Sequence, residues 1–504
     1  METPQRRRRH DGPRPTARHP DYRQLRHPFA PQPVFSDDRV AAMHEAALAV
    51  LENHGIKVLL PEAVALYARA GARVDGDMVR LGRDIVADAL ALAPGSIRLH
   101  AANPARTLTL EPGALTFMAG GGAPNCTDLR RGRRPGTQAD YEEQLKLVQG
   151  FDAIHYTGPT VESQDIDPAL RHLAVTRAQL TLTDKVPFVY ARGTAQAEDA
   201  FAMIAQARGL TDLTGDARCY TVINSNSPRQ LDVPMSQGLI DFARWGQPSI
   251  VTPFCLMGAM APITVAGALV LQHAEALAGI TLAQLARAGA PVLYGSFASN
   301  VDMKSGAPAF GTPAHLQATL GAGQLARHIG LPWRSGAGSA GNSADAQAVQ
   351  EAVMGLWGSM LAQSTMIVHS AGWLEGGLTF GYEKFIIDME AVQTLAELCT
   401  RPPQGDADLA LDAIAEVPPG GHFFAAAHTM ARYDSAFYEP LVADLRNHGQ
   451  WMDGGAPLTQ DRALAVWQQR LADYRIPDAC AGIDAVLAPF IERRTREGGA
   501  PPLG

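Results

Sequence analysis

Charge is scarce in this chain. Of its 504 residues 19% are Asp, Glu, Lys or Arg, and the formal net charge is −8. An acidic surplus excludes nucleic acid as an expected partner. Cysteine is scarcer still: Cys126, Cys219, Cys255, Cys399 and Cys480 are the five, and none forms a CxxC pair. That excludes a disulfide framework and makes a reducing cytoplasm the expected location. HExxH, EF-hand and paired CxxC patterns are lacking, so no metal site is expected. His422 and His428 fall on different helical faces and read as structural. The run Gly120-Gly121-Gly122 is followed by no GKS or GKT and lacks GxGxxG spacing. It reads as a tight turn or as a close approach of a ligand to backbone, not as a nucleotide cradle. No nucleophile elbow and no Ser-His-Asp order are visible.

The charge that is present is unevenly placed. Residues 1–34 carry eight Arg against three acids, a net of +5, which leaves −13 for the remainder. Arg6–Arg9 sit among prolines and polar residues without an apolar period, so residues 1–34 read as a disordered basic arm. Its functional alternatives are a docking arm for an acidic partner or a subunit contact. No apolar core follows the arginines, so a secretory or twin-arginine signal is not expected. Trp245–Ala274 contains no charged residue. Its length raises a membrane question, but Pro248, Pro253, Pro262 and several glycines interrupt it. It reads as a buried strand, its loop and the start of a buried helix, with no membrane partner.

From residue 115 to 400 one pattern recurs: a short β-branched or aromatic run, a Gly/Pro/Ser/Asn-rich stretch, then an amphipathic helix. The runs are Leu115–Met118, Ala153–Thr157, Val186–Ala191, Cys219–Asn224, Ser249–Phe254, Pro291–Ser296, Leu331–Arg334 and Thr365–His369. The helices are expected at 138–149, 169–183, 197–209, 235–245, 265–288, 313–329, 345–363 and 380–399. Eight strands alternating with eight helices predict an α/β fold, a (β/α)8 TIM barrel over 113–400. Residues 35–112 read as an N-terminal α/β cap, with helices at 36–57, 61–70 and 83–93 and short strands around 73–80 and 96–110. Residues 401–504 read as a C-terminal helical segment packed on the barrel, with a frayed end from Arg496.

Barrels of this kind carry chemistry on the loops after their strands. Glu162, Arg192, Asn224, Asn226, Asn300, Arg334, His369 and Glu375 lie at or just beyond the expected strand ends, as do Phe254, Phe297, Trp333 and Trp373. Each alone is compatible with packing or loop capping. Together they describe a wide mouth with several aromatic faces and few charges, which suits a small cationic ligand with an apolar shell.

At this point the residues carry a resemblance. DYRQLRHPF (21–29), GGGAPNCTDL (120–129), LRHL (170–173), LTDKVPF (182–188), VTPFCLMGAMAPIT (251–264), SNVDMKSGAPAFGTP (299–313), DAQAVQEA (345–352), HSAGWLEGGLTFGYEKFIIDME (369–390) and GGHFFAAAHTMARY (420–433) resemble the trimethylamine methyltransferase family. The family's fold is a (β/α)8 barrel. The resemblance implies transfer of a methyl group from a methylated amine to cob(I)alamin on a separate corrinoid protein, with no metal bound by this chain. Only the twenty standard residues occur here, so the pyrrolysine of the trimethylamine branch is missing. That favours the branch that demethylates quaternary amines, glycine betaine first. A quaternary ammonium leaves as a neutral tertiary amine, so no general acid is needed. The cation is then expected among Phe254, Trp333, Trp373 and Tyr382. A carboxylate is expected at Arg334, His369 or asparagine-rich donors such as Asn224 and Asn300. His369 and Glu375 are the expected catalytic positions, Glu375 balancing the cation's charge; Glu383 is as well read as a helix N-terminal acid. The rivals are a trimethylamine methyltransferase, a barrel lyase or hydrolase using Glu162 with His369, and a non-enzymatic binding protein whose mouth is sealed. A homo-oligomer is a further expectation.

Overall fold

The computed structural model describes residues 21–503. Its central element is a parallel sheet flanked by helices. Strands Ala114–Phe117, Met366–Val368, Trp333–Gly336, Val292–Gly295, Ser249–Val251 and Thr221–Ile223 lie side by side in that order, each pair parallel. The last strand in sequence thus pairs with the first. The expected strands at 153–157 and 186–191 do not form ladders. They make single parallel bridges, Tyr156 to Val186 and Phe188 to Tyr220, and the His155 amide donates to the Phe117 carbonyl at 2.9 Å. Pro187 has no amide to donate, which is why 186–191 cannot extend a ladder. The fold is therefore mixed α/β, with six ladder strands where eight were expected.

The helices fall where the periodicity puts them: Gln138–Gln149, Pro168–Leu182, Thr194–Ala207, Val233–Trp245, Val265–Ala286, Pro313–His328, Ala346–Leu361 and Tyr382–Leu398. Their starts have local causes. Thr137 and Asp140 form a reciprocal capping box, and Asp232, Thr264, Thr312 and Asp345 each accept a first-turn amide. Among the described residues one helix, Val265–Ala286, is long and apolar enough to cross a membrane, and 72% of its most apolar window is buried inside the protein.

The sheet face turned from the helices is filled by Met118, Tyr156, Phe188, Tyr220, Ile250, Leu293 and Met366. The hairpin Ile97–Leu99 with Leu108–Leu110 packs its apolar residues into the same cluster. It is tied to the segments that precede the strands: the His100 amide donates to Ala217 and the Asn103 amide to Asp184. The hairpin therefore covers the N-terminal ends of the strands and leaves the C-terminal ends open.

Three terminal readings are corrected. Residues 1–20 of the expected basic arm lie outside the described residues, but 21–34 are built into the fold. Leu25–Arg26 pairs antiparallel with Ala114–Leu115, and Arg23 pairs with Glu397 at 3.1 Å. Backbone pairing and ion pairs outweigh the low apolar content of this stretch. The C-terminal end is docked, not frayed: the Ala500 amide donates to Ala169 and the Leu503 amide to Arg192. Of the expected helical segment, Thr459–Asp473 packs on Tyr382–Leu398 and Ile483–Arg496 on Pro168–Leu182 and Thr194–Ala207, whereas in residues 401–437 only Ala413 and Ala426 are buried.

Several histidines are buried without charge. Burial pushes His155 and His315 down to about 4, against about 6.5 in an unfolded chain. Between those values the unfolded chain binds protons that the folded one refuses. Their stabilising effect is complete above pH ~6.5 and is lost as pH falls toward ~4, at about 1.4 kcal/mol per pH unit for each. Denaturant unfolding between pH 6.5 and 4.5 should accordingly show a shallower loss of stability in His155→Gln than in wild type, by up to that slope.

Candidate functional site

A cavity of about 340 Å³ opens at the C-terminal ends of the strands. Its lining includes Asn224, Thr252, Phe254, Phe297, Arg334, His369 and Trp373. Phe254 and Phe297 have ring centroids 5.2 Å apart, and Trp373 stands edge-on to Phe297 at 6.2 Å. Phe188, Met118, Pro159, Val222 and Leu378 complete an apolar wall.

Arg334 sits in this apolar surrounding, 2% exposed. Its Nη2 donates to His369 Nε2 at 3.1 Å, its Nη1 makes a long contact to the Ser296 carbonyl at 3.4 Å, and its Cζ lies 5.1 Å over the Phe297 ring. No carboxylate among the described residues pairs with it; the ion pairs all involve other groups. Burial brings it down to about 9, so it is still a cation at neutral pH. A guanidinium only donates, so His369 Nε2 accepts and the ring proton resides on Nδ1. Burial, reinforced by the Arg334 charge, holds His369 well below its usual value, so it stays neutral. Arg334 Nε, His369 Nδ1, Trp373 Nε1 and Thr252 Oγ1 are all buried without a partner. Four unsatisfied polar atoms thus belong to residues that line one cavity, and the Arg334 and His369 groups lie beside its aromatic rings.

The loops that hold these groups are pinned from outside. Glu351 Oε2 accepts from Ser339 Oγ, the Ala340 amide and the Gly341 amide at 3.0, 2.7 and 3.2 Å. The Gly372 amide donates to Asp388 Oδ2 at 2.9 Å, and the buried Lys384 ammonium pairs with the other Asp388 oxygen. The Trp373 indole lies between Gly338 and Gly377, with φ of 128° and 107°; a Cβ at Gly338 would come within 2.9 Å of the ring, and one at Gly377 closer still. His369 itself has a left-handed backbone, φ 60°, a conformation that costs energy outside glycine and recurs at functional sites.

Of the expected site residues, the structure brings Phe254, Arg334, Trp373, Asn224 and His369 to the cavity. It places four elsewhere. Trp333 precedes Arg334 on one strand, and successive strand residues point to opposite faces. Its indole is therefore 2% exposed in the helix-side core, with Nε1 donating to Gln363 O at 2.9 Å. Tyr382 opens a helix and turns to Glu143, its hydroxyl donating at 2.8 Å, with the Arg131 guanidinium 5.0 Å over its ring. Asn300 is bound to Thr312 Oγ1 at 2.7 Å and to Val301 O at 3.1 Å. Glu375 is held by Arg133 in a bidentate pair at 2.9 to 3.1 Å, so its charge is already balanced; its neighbours Gly376 to Leu378 line the cavity in its place. Glu162 is paired with Arg171 and Arg192 at 3.2 and 2.7 Å and is not part of the lining with His369. Phe297 was legible as a strand-end aromatic; Thr252, Met118 and Phe188 gave no signal beyond their strand positions. Among the described residues no group of three or more His, Cys, Asp or Glu is arranged to hold a metal ion.

Comparison with known proteins adds to this geometry. The profile of the trimethylamine methyltransferase (MTTB) family matches residues 3–499. The chain is 35% identical over 469 residues to the glycine betaine methyltransferase of Desulfitobacterium hafniense (strain Y51), covering 92% of this chain and 98% of that one. It is 29% identical over 470 residues to the trimethylamine methyltransferase MttB of Desulfitobacterium hafniense (strain DSM 10664 / DCB-2), covering 92% and 94%. Among solved structures it is similar in fold to the Methanosarcina barkeri monomethylamine methyltransferase (MtmB), with a TM-score of 0.54 at 10% identity over 88% and 89% of the chains.

The two tryptophans separate fold from site. Trp333→Ala should cost about 3–5 kcal/mol in denaturant unfolding and leave calorimetric binding of tetramethylammonium to the folded fraction unchanged. Trp373→Ala should weaken that binding by about 0.5–2 kcal/mol. The reverse pattern would exclude the aromatic wall as the cation site.

Proposed function

The chain belongs to the trimethylamine methyltransferase family, and from that premise we propose that it demethylates a small quaternary amine bearing a carboxylate, glycine betaine first, for a corrinoid carried by a separate protein. The observation that carries this reading is Arg334, a buried cation with no acidic partner among the described residues, in the lining of an aromatic cavity. An unpaired buried charge costs several kcal/mol. Trimethylamine brings nothing to balance it. A betaine brings a carboxylate to Arg334 and the neutral His369, and a trimethylammonium to the faces of Phe254, Phe297 and Trp373. The higher identity to a glycine betaine methyltransferase than to the trimethylamine enzymes supports the same choice.

The six-stranded sheet with its two bridging segments is read here as the (β/α)8 barrel of 113–400, capped by 35–112. A cavity of about 340 Å³ suits a betaine; a corrin macrocycle stays outside it. The rim supports a partner there: Ile263, Met303 and Leu378, on loops after three different strands, are 69, 66 and 55% exposed. The corrinoid, on its carrier, supplies a nucleophilic cobalt that accepts the methyl group. This chain anchors the carboxylate, turns one methyl toward the opening and excludes water. The departing amine is already neutral, so no residue has to protonate it. Orientation of this kind contributes several kcal/mol, up to about 7–11 in favourable intramolecular cases. A lyase or hydrolase reading lacks support, since Glu162 is engaged by two arginines. An open apolar rim speaks against a sealed binding protein.

The test mixes the protein with glycine betaine and a reduced corrinoid carrier, or reduced free cobalamin. The methylcobalamin absorbance should grow with an equimolar amount of dimethylglycine. Turnover of trimethylamine in preference to every betaine tried would refute the proposal. Arg334→Ala should weaken glycine betaine binding by about 2–5 kcal/mol while tetramethylammonium, which has no carboxylate, binds as before; equal losses for both ligands would remove Arg334 as the anchor.

A further inference from the structure

Helix Val265–Ala286 carries one charged side chain along its 22 residues, Glu275. That residue is 0% exposed. Burial pushes its carboxyl up, while the Arg229 amide and two serine hydroxyls pull it back. A buried acid costs several kcal/mol unless its oxygens are satisfied. Glu275 accepts three hydrogen bonds, all from one loop. Oε2 accepts from Ser225 Oγ and from Ser227 Oγ, the latter at 2.6 Å. Oε1 accepts from the Arg229 amide at 2.7 Å. Arg229 is thereby held in a left-handed backbone, φ 54°, which a residue with a Cβ adopts at a cost. Ser227 Oγ also lies 3.3 Å from Cys255 Sγ. Cys255 follows Phe254 of the cavity lining, so the loops after two adjacent strands are tied together.

The loop begins at Asn224, directly after strand Thr221–Ile223, and Asn224 lines the cavity. From Asn224 to Arg229 every other polar side chain is engaged. Ser225 and Ser227 are bound to Glu275. Asn226 donates to the Asp232 carboxylate and accepts from the Asp232 amide, both at 3.0 Å. Arg229 Nη1 donates to the Gly55 carbonyl at 3.2 Å. The Asn224 carboxamide alone has no hydrogen-bond partner among the described residues. The far end of the loop is fixed as well, where Gln230 and Leu231 pair with Lys57 and Val58.

The sheet decides which end of a ligand Asn224 meets. Its strand lies three places from Trp333–Gly336, about 14 Å along the sheet at the usual strand spacing. The Arg334 guanidinium stays on its own side, bonded to His369 and set over Phe297. A betaine whose carboxylate is held there extends its ammonium toward the strands that carry Phe254 and Asn224. An amide oxygen is the negative end of a dipole, and it favours a cation over a carboxylate.

We propose that Asn224 is a specificity residue for the quaternary ammonium, its carboxamide oxygen turned to the cation, and that Glu275 is the positioning residue that presents it. This assignment rests on the reading of the ligand as a betaine anchored by Arg334. It moves Asn224 from the carboxylate end, where the sequence put it, to the ammonium end.

Calorimetric binding of three ligands to the full chain tests this: glycine betaine, tetramethylammonium, and 3,3-dimethylbutanoate, which has the shape and carboxylate of glycine betaine without its cation. Asn224→Ala should weaken the first two about fivefold and leave the third unchanged. Glu275→Leu should do the same. Glu275→Gln should recover most of the affinity, because its Oε1 can keep the Arg229 amide while the serine hydroxyls turn to accept from its Nε2. The double variant Asn224→Ala with Glu275→Leu should lose about fivefold again, not the roughly 25-fold of two independent sites. If Glu275→Leu fails to fold, Ser225→Ala with Ser227→Ala carries the same expectation. Equal losses for all three ligands, unchanged tetramethylammonium binding, or losses that multiply in the double variant would each overturn the proposal. Arg334→Ala separates it from the reading beneath it. Unchanged 3,3-dimethylbutanoate binding in that variant would remove the anchor, and this proposal with it. Loss of that binding, with tetramethylammonium indifferent to Asn224, would overturn the present proposal alone.

Discussion

The site depends on one desolvated charge. Arg334 is a cation placed among Phe297, His369 and Trp373, 2% exposed and paired with no carboxylate among the described residues. Such a charge destabilises the empty protein and attracts whatever anion can reach it. The rest of the site follows from keeping that charge uncompensated and in place. Burial, reinforced by the Arg334 charge, holds His369 neutral, and its Nε2 accepts from the guanidinium. The acids of the region are all committed elsewhere: Glu375 to Arg133, Glu162 to two arginines, Glu351 to the amides of a glycine-rich loop and Asp388 to Lys384. Each acid fixes a loop, and none reaches the cavity.

Much of the architecture was legible because helical periodicity and capping are local. The eight helices appear within a few residues of their expected bounds, since Thr137, Asp232, Thr312 and Asp345 mark their starts in the sequence itself. Strand quality was less legible. Val186–Ala191 looks like a strand by composition, but Pro187 limits it to a bridge. The site was half legible. Arg334, His369, Trp373, Phe254 and Asn224 follow from the rule that strand ends carry the chemistry. Trp333 could have been set aside by the same rule applied more strictly, since it and Arg334 cannot face the same way on one strand. Tyr382, Asn300 and Glu375 were not separable in sequence. Their partners Glu143, Thr312 and Arg133 lie 239, 12 and 242 residues away, except for Thr312 too far for any local pattern to reveal.

The glycines have a mechanical part in this. The Trp373 indole fits between Gly338 and Gly377 because neither carries a Cβ, which would collide with its ring. The backbone conformations at those two positions, φ 128° and 107°, are open to glycine and strained for other residues. The place of Trp373 in the aromatic wall thus depends on glycine at both positions.

The hairpin of Ile97–Leu99 and Leu108–Leu110 closes the N-terminal ends of the strands. The cavity consequently opens at the C-terminal ends of the strands, with Leu378, Phe254 and the glycines at 121 and 122 in its lining. On the proposed function, substrate, product and carrier share that opening. Such a carrier is a stopper while it is seated. On the proposed function, traffic through the site then has a sequence: the small molecule boards first, the carrier seats, and the demethylated amine leaves after the carrier departs. With the strand N-termini covered by the hairpin, that order is a consequence of the fold.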